Sequence, residues 1–255
     1  ERQWLYYKQW GRLLFDPETT DEGFAIDFDK RYGKGVGAKM VEAYKLASRT
    51  PLRFAAYVFN TWDFTLYAEG MLVPVTYKNS GYNDKESPFL SLEEFMDFNV
   101  LDPDYLSIRS YVESVQNGSI EDALTTPLEL ADDLEQWGKE ALAIVKEIPG
   151  NDPTLECEIM DVRAWCYQGL YFAQKLRAAV ALETFRVTGD PGKKAEAVSL
   201  IKDALTHYQQ LVDITKQHHQ PVPLIHTGKT MFHWEAYMDQ VDRDISVAEN
   251  YSLID

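Results

Sequence analysis

Asp152-Pro153-Thr154-Leu155-Glu156-Cys157-Glu158-Ile159-Met160-Asp161-Val162 opens the clearest periodic run in the chain. Leu155, Ile159, Val162, Cys166, Gly169, Ala173, Leu176 and Val180 follow at alternating steps of four and three. That spacing keeps one apolar stripe on one side of a continuous helix. Proline suits the first helical turn, where its missing N–H leaves nothing unpaired. Thr188-Gly189 punctuates the end, and Asp190-Pro191 restarts a helix carrying Val198, Ile201, Leu205, Tyr208 and Val212. Gln220-Pro221-Val222-Pro223 marks its close. The two segments, 153–186 and 190–218, are expected to form a long antiparallel helical hairpin at the centre of the fold.

The same grammar holds on either side. Thr126-Pro127-Leu128-Glu129 reads as a capping box, followed by Ala131, Leu134, Gly138, Ala141, Val145 and Ile148 up to Pro149-Gly150. Gly138 and Gly169 sit on apolar stripes, where glycine costs a helix about 1 kcal/mol against alanine. Their presence implies that helices cross closely there. Trp4, Tyr7, Gly11 and Leu14 mark a first helix stopped by Asp16-Pro17, and Thr19 to Glu22 reads as a second capping box. Gly33, Gly35 and Gly37 break the chain before a helix running to about Arg49. Thr50-Pro51 restarts another with Leu52, Ala55, Phe59, Trp62 and Leu66, and Ser91 to Glu94 is a further capping box. The last helix carries Trp234, Met238, Val241, Ile245 and Ala248. The fold class is therefore all-α, a multi-helix bundle of roughly eight to ten helices. Residues 1–255 read as a single all-helical domain, with 1–69 and 91–255 as its possible subdivision.

Between those parts, residues 70–90 show no helical period. Irregular segments of this length in a compact domain are usually functional or disordered, and the aromatic content speaks against disorder. Tyr77, Lys78, Asn79 and Tyr82 on this stretch are the candidate sugar contacts, the tyrosines through their ring faces and Lys78 toward a carboxylated sugar. Loop packing is an equally good account of the same side chains. Asp63 and Glu69 flank its start and are the local carboxylates.

Composition narrows the function classes. There are 25 basic and 41 acidic residues, a formal charge of −16. A surface this negative repels phosphate backbones and anionic lipid, so neither nucleic acid nor membrane is an expected partner. No apolar run approaches the roughly 20 residues needed to span a bilayer. The first residues, Glu1-Arg2-Gln3-Trp4, lack the apolar core of a secretory signal. Cys157 and Cys166 lie nine residues apart, about 13 Å along a helix and on opposite faces. They cannot pair within it, and both read as core thiols.

The remaining chemistry-bearing residues have plain structural readings. Gly33-Lys34-Gly35-Val36-Gly37 has no preceding strand and lacks both the dinucleotide and the phosphate-loop spacing, so it reads as a turn between helices. His207, His218, His219, His226 and His233 form no metal-ligand spacing, and no cofactor motif is present. Trp4, Trp62, Trp137, Trp165 and Trp234 lie on apolar stripes and read as core.

Three phrases carry a resemblance. The first is Trp10-Gly11-Arg12-Leu13-Leu14-Phe15-Asp16-Pro17 with Thr20-Asp21-Glu22 and Arg31-Tyr32-Gly33. The second runs from Ile159-Met160-Asp161-Val162 to Tyr171-Phe172-Ala173-Gln174-Lys175-Leu176-Arg177-Ala178-Ala179. The third is Phe232-His233-Trp234-Glu235 leading to Val241-Asp242-Arg243-Asp244-Ile245. Together they span nearly the whole chain. They resemble the helical region that follows the catalytic barrel in large, α-glucuronidase-type, polysaccharide-degrading glycoside hydrolases. The resemblance implies an accessory domain that packs on the catalytic barrel of the same parent protein, shapes its cleft and contacts oligo- or polysaccharide. It also implies a secreted or periplasmic bacterial parent. The family's catalytic carboxylates belong to the barrel and match nothing here, so no catalytic residue is assigned and the chain alone is expected to be inactive. The competing expectation is a non-enzymatic helical module for protein interaction.

Overall fold

The computed structural model describes residues 4–58, 89–120, 123–149, 152–223 and 231–253. Tyr77, Lys78, Asn79 and Tyr82, with Asp63, Glu69, Trp62 and His226, lie outside the described residues. Ten α-helices are found among those described: α1 Trp4–Phe15, α2 Asp21–Tyr32, α3 Gly37–Ala47, α4 Arg49–Tyr57, α5 Leu92–Met96, α6 Ile108–Asn117, α7 Pro127–Lys146, α8 Pro153–Thr188, α9 Pro191–Thr215 and α10 Met238–Asn250. A two-residue antiparallel ladder, β1 Val222–Pro223 with β2 Met231–Phe232, is the only sheet among the described residues. The fold is all-α.

The 36 residues of α8 form the axis. At about 1.5 Å per residue this rod is some 54 Å long. It packs along α9 and α7 and is touched by α3, α4, α5 and α6 as well. A helix surrounded on so many sides must be buried nearly all round. Accordingly every member of its expected stripe, from Leu155 to Val180, is buried, and so are residues between them. On α9 the buried residues are Ala197, Ile201, Ala204, Tyr208, Leu211, Val212 and Thr215. The expected Val198 and Leu205 flank them, partly buried. Small alanines face α8 because two long helices in close contact leave little room between them.

Glycine placement explains the close crossings. A Cβ on Gly138 of α7 would lie 3.3 Å from the Cys166 carbonyl oxygen, and one on Gly169 would lie 2.9 Å from Thr50 Oγ1. Helix starts follow the expected chemistry at Ser91 and Thr126, where both halves of each capping box form. The box expected from Thr19 to Glu22 does not form. α2 begins at Asp21 with Thr20 as its unbonded N-cap, and the Thr19 hydroxyl donates instead to the Asp16 carbonyl at 2.9 Å. α4 also departs from expectation: it starts at Arg49, ends at Tyr57, and Val58 turns extended to bridge Val100.

A buried polar cluster holds the end of the chain in place. Lys175 and Asp244 are 0% and 1% exposed, with Lys175 Nζ 2.7 Å from Asp244 Oδ2. Lys175 also donates to the Leu90 carbonyl at 2.7 Å, and Asp244 Oδ1 accepts from the Leu92 N–H at 2.8 Å. This pair ties α8 and α10 to the residues that begin α5.

Candidate functional site

The glycine turn between α2 and α3 is satisfied from inside the protein. Asp29 Oδ1 accepts from the N–H groups of Gly35, at 3.1 Å, and Gly37, at 2.6 Å. Those two bonds hold the Asp29 carboxyl below its ordinary pKa. Gly33 and Gly35 carry the positive φ angles, 107° and 90°, that let the chain reverse. The donors that would cradle a phosphate are occupied by this carboxylate.

The cysteines differ. Cys166 is buried and burial lifts its thiol to about 12, whereas Cys157 is partly exposed rather than a core residue. No group of three or more His, Cys, Asp or Glu suited to a metal occurs among the described residues. No helix among them is long and apolar enough to cross a membrane.

A cavity of about 470 Å³ opens between α1 and the start of α8. This lies within the roughly 300–1,000 Å³ usual for small-molecule sites. α8 supplies Glu158, Asp161, Ala164 and Trp165; α1 supplies Leu5, Tyr6 and Gln9; α3 supplies Tyr44. His219, just beyond α9, and Trp234, in the 3-10 turn Trp234–Tyr237, close the rim. Steps of three and four residues bring Asp161, Ala164 and Trp165 to one side of α8. The chain brings in Trp234 because β1 and β2 reverse it after α9, and the Tyr208 hydroxyl donates to the Trp234 carbonyl at 2.9 Å.

Glu158 is 4% exposed and forms part of the cavity wall. Trp4 Nε1 donates to its Oε1 at 2.9 Å, and the Tyr44 hydroxyl donates to its Oε2. Burial, with the nearby Glu158 charge, holds the Tyr44 phenol well above its ordinary value, so it stays a donor. With both oxygens held by the protein, Glu158 is fixed as a wall and is poorly placed to exchange protons with a substrate. The cavity offers aromatic faces and, in Glu158, a polar group held by the protein.

Of the tryptophans assigned to the core by sequence, Trp137 is buried as expected. Trp4, Trp165 and Trp234 are only partly buried, and the last two face this cavity. Sequence reasoning missed the cavity because its residues come from five separate segments. Trp165 and Asp161 carried the only available signal, as large and charged residues beside an apolar stripe.

Trp4 and Leu5 at the start of α1 pack against the core, but the rest of the helix has its apolar side outward. Its inner face is tied down by polar contacts: Arg12 donates to the Gly23 carbonyl at 3.1 Å, and Lys8 and Arg12 lie 3.2 and 2.7 Å from the buried Asp27 carboxylate. Tyr6, Tyr7, Trp10, Leu13 and Leu14, at helical spacing, are exposed together with Phe15. Leu14 is 75% and Phe15 92% exposed. The stripe marked by Tyr7 and Leu14 thus faces outward, contrary to the usual reading of an amphipathic helix.

No protein-family model matches the sequence, and no curated protein matches it. Among solved structures the chain is similar to a GH138 enzyme targeting pectin rhamnogalacturonan II, with a TM-score of 0.77 and 16% identity. The match covers 97% of this chain and 37% of that one. The chain thus spans little more than a third of that enzyme, and at this identity what the two share is the helical fold.

Proposed function

We propose that this chain is a helical accessory domain of a polysaccharide-degrading glycoside hydrolase of the α-glucuronidase type, packed on a catalytic barrel that lies outside it. The observation that carries the reading is the outward apolar stripe of α1. Contiguous exposed apolar surface on a helix already anchored by its polar face marks a docking surface. The fold likeness to part of a larger carbohydrate-active enzyme supports a partner domain in the same polypeptide as its occupant. Residues 70–90 keep their place as a sequence-based proposal, with Tyr77, Lys78, Asn79 and Tyr82 reaching saccharide in the cleft.

The test compares this chain with its full-length parent by carbene footprinting. Trp10, Leu14 and Phe15 are expected to be labelled in the isolated chain and protected in the parent. Leu14→Asp with Phe15→Asp is expected to lower the parent's turnover of pectin-derived oligosaccharides while leaving the isolated chain folded and inert. Equal labelling in both, or an upstream sequence with no β/α barrel, overturns the reading in favour of a free-standing interaction module.

A further inference from the structure

We propose that the cavity between α1 and the start of α8 is a binding site for an organic cation, with a quaternary ammonium group as its best fit. The inference goes beyond the accessory-domain reading and stands on chemistry confined to this chain. It starts from Glu158. That residue is 4% exposed, and its carboxylate accepts from the Trp4 Nε1–H at 2.9 Å and from the Tyr44 hydroxyl. Both donors are neutral, and Glu158 enters no ion pair among the described residues. Arg31 lies over the Trp4 ring, 5.0 Å from its centroid, without pairing to Glu158. A carboxylate taken out of water normally has a counter-charge. At Glu158 the hydrogen bonds are supplied and the counter-charge is not.

The cavity offers a place for that missing charge. Glu158 and Asp161 line it, and among the described residues no lysine or arginine does. His219 adds at most one positive charge, so the lining stays negative in either state of its imidazole. Trp165, Trp234, Tyr6 and Tyr44 line the same space. The faces of such rings carry the negative part of the quadrupole and attract a cation within about 6 Å of the ring centre. Trp234 is held in T-shaped contact by Phe232, with centroids 5.0 Å apart, and Tyr6 by Trp10 at 5.6 Å.

The lining discriminates between ligand classes. A carboxylate or phosphate meets Glu158 and Asp161 as like charges. A neutral ligand leaves the Glu158 charge unanswered. A metal ion needs several first-shell ligands, whereas each Glu158 oxygen is already engaged and no group of three or more suited side chains occurs among the described residues. A primary ammonium brings three N–H donors, each of which needs an acceptor. A quaternary ammonium brings a diffuse charge wrapped in methyl groups. It asks of the carboxylates only attraction through space, and of the rings only contact. That is what a carboxylate already engaged at both oxygens, beside aromatic side chains, can supply.

The purified chain is titrated at neutral pH with tetramethylammonium, its neutral near-isostere tert-butanol, methylammonium and acetate, followed by tryptophan fluorescence and by saturation-transfer NMR on the methyl protons. Tetramethylammonium is expected to saturate, with tert-butanol about tenfold weaker or worse, methylammonium weaker and acetate silent. Glu158→Gln keeps the shape and an acceptor for Trp4 but removes the charge. It should weaken tetramethylammonium about tenfold and leave tert-butanol unchanged. Trp165→Ala should weaken tetramethylammonium roughly fivefold. If Glu158→Gln does not fold, Trp165→Ala and the ligand comparison decide the matter without it. The assignment is overturned if tetramethylammonium fails to saturate by about 10 mM, or if tert-butanol or methylammonium binds as tightly. Unchanged affinity in Trp165→Ala, or in folded Glu158→Gln, overturns it as well. Choline and phosphatidylcholine vesicles, run in parallel, separate a free solute from a lipid headgroup, and vesicle binding that choline does not compete away would rule the cavity out as its site. Leu14 and Phe15 do not line the cavity, so loss of docking and loss of cation binding are read separately.

Discussion

Replacing Lys175 with methionine removes the cation of the buried pair and leaves the carboxylate of Asp244 behind. In the native protein that carboxylate has two partners, Lys175 Nζ at 2.7 Å and the Leu92 N–H at 2.8 Å. Burial already pushes its pKa up, against the pull of Lys175, so the loss of Lys175 leaves desolvation nearly unopposed. Orphaning one member of a buried pair typically costs about 3–5 kcal/mol, or about 150- to 4,000-fold in the folding equilibrium. The Leu90 carbonyl loses its donor at 2.7 Å in the same step. For a chain this long the urea dependence should be at or above about 3 kcal/mol/M, so the midpoint should fall by roughly 1–1.7 M. Asp244→Leu should be about as damaging, because it leaves the buried Lys175 ammonium without its counter-charge. The double replacement Lys175→Met with Asp244→Leu should recover much of the loss, since an apolar pair of similar volume often matches a buried ion pair. The assay is urea unfolding followed by far-UV circular dichroism, arranged as a double-mutant cycle. A loss under about 1 kcal/mol for Lys175→Met, or strictly additive losses in the double variant, would refute the claim that this pair fastens α5 and α10 to α8.

Two glycines should respond with opposite signs. A Cβ on Gly37 would sit 1.9 Å from the Ala25 carbonyl oxygen, so Gly37→Ala must push α2 and α3 apart and should cost at least about 1–3 kcal/mol by thermal melting. A Cβ on Gly11 meets nothing within 4 Å, so Gly11→Ala in α1 should stabilise by up to about 1 kcal/mol. Asp29→Ala should lower the melting temperature at neutral pH. The folded pKa of Asp29 is depressed, so its contribution is full above the ordinary carboxylate value and fades as pH falls through the folded one. The variant's deficit should therefore shrink below about pH 4, and a deficit that is constant with pH would contradict the two N–H bonds. A thiol-reactive disulfide reagent should modify Cys157 but spare Cys166 in the native protein and reach both after denaturation, because Cys166 is buried with its thiol raised to about 12.

The sequence by itself determined the secondary structure and much of the core, for a local reason. Step-of-three-and-four patterns, proline at the first turn of α7, α8 and α9, and the boxes at Ser91 and Thr126 each act within a few residues, so they are readable without the fold. The expected stripes on α7 and α8 are buried throughout, and the glycines on them mark true close crossings. Position relative to other elements was not readable. Periodicity says that one side of α1 is apolar but not which side faces inward. Only the tertiary structure shows that Arg12 and Lys8 turn toward Asp27 and send Leu14 and Phe15 to solvent. On α10 the sequence favoured Ile245, yet Asp244 holds the fully buried place between Val241 and Ala248 because Lys175 waits opposite, 69 residues away in the chain. The cavity is likewise assembled from α1, α3, α8, His219 beyond α9 and the turn at Trp234, whose side chains share no local pattern. A buried charge or a cavity-lining tryptophan is defined by its partners, and those partners become neighbours only when the chain is folded.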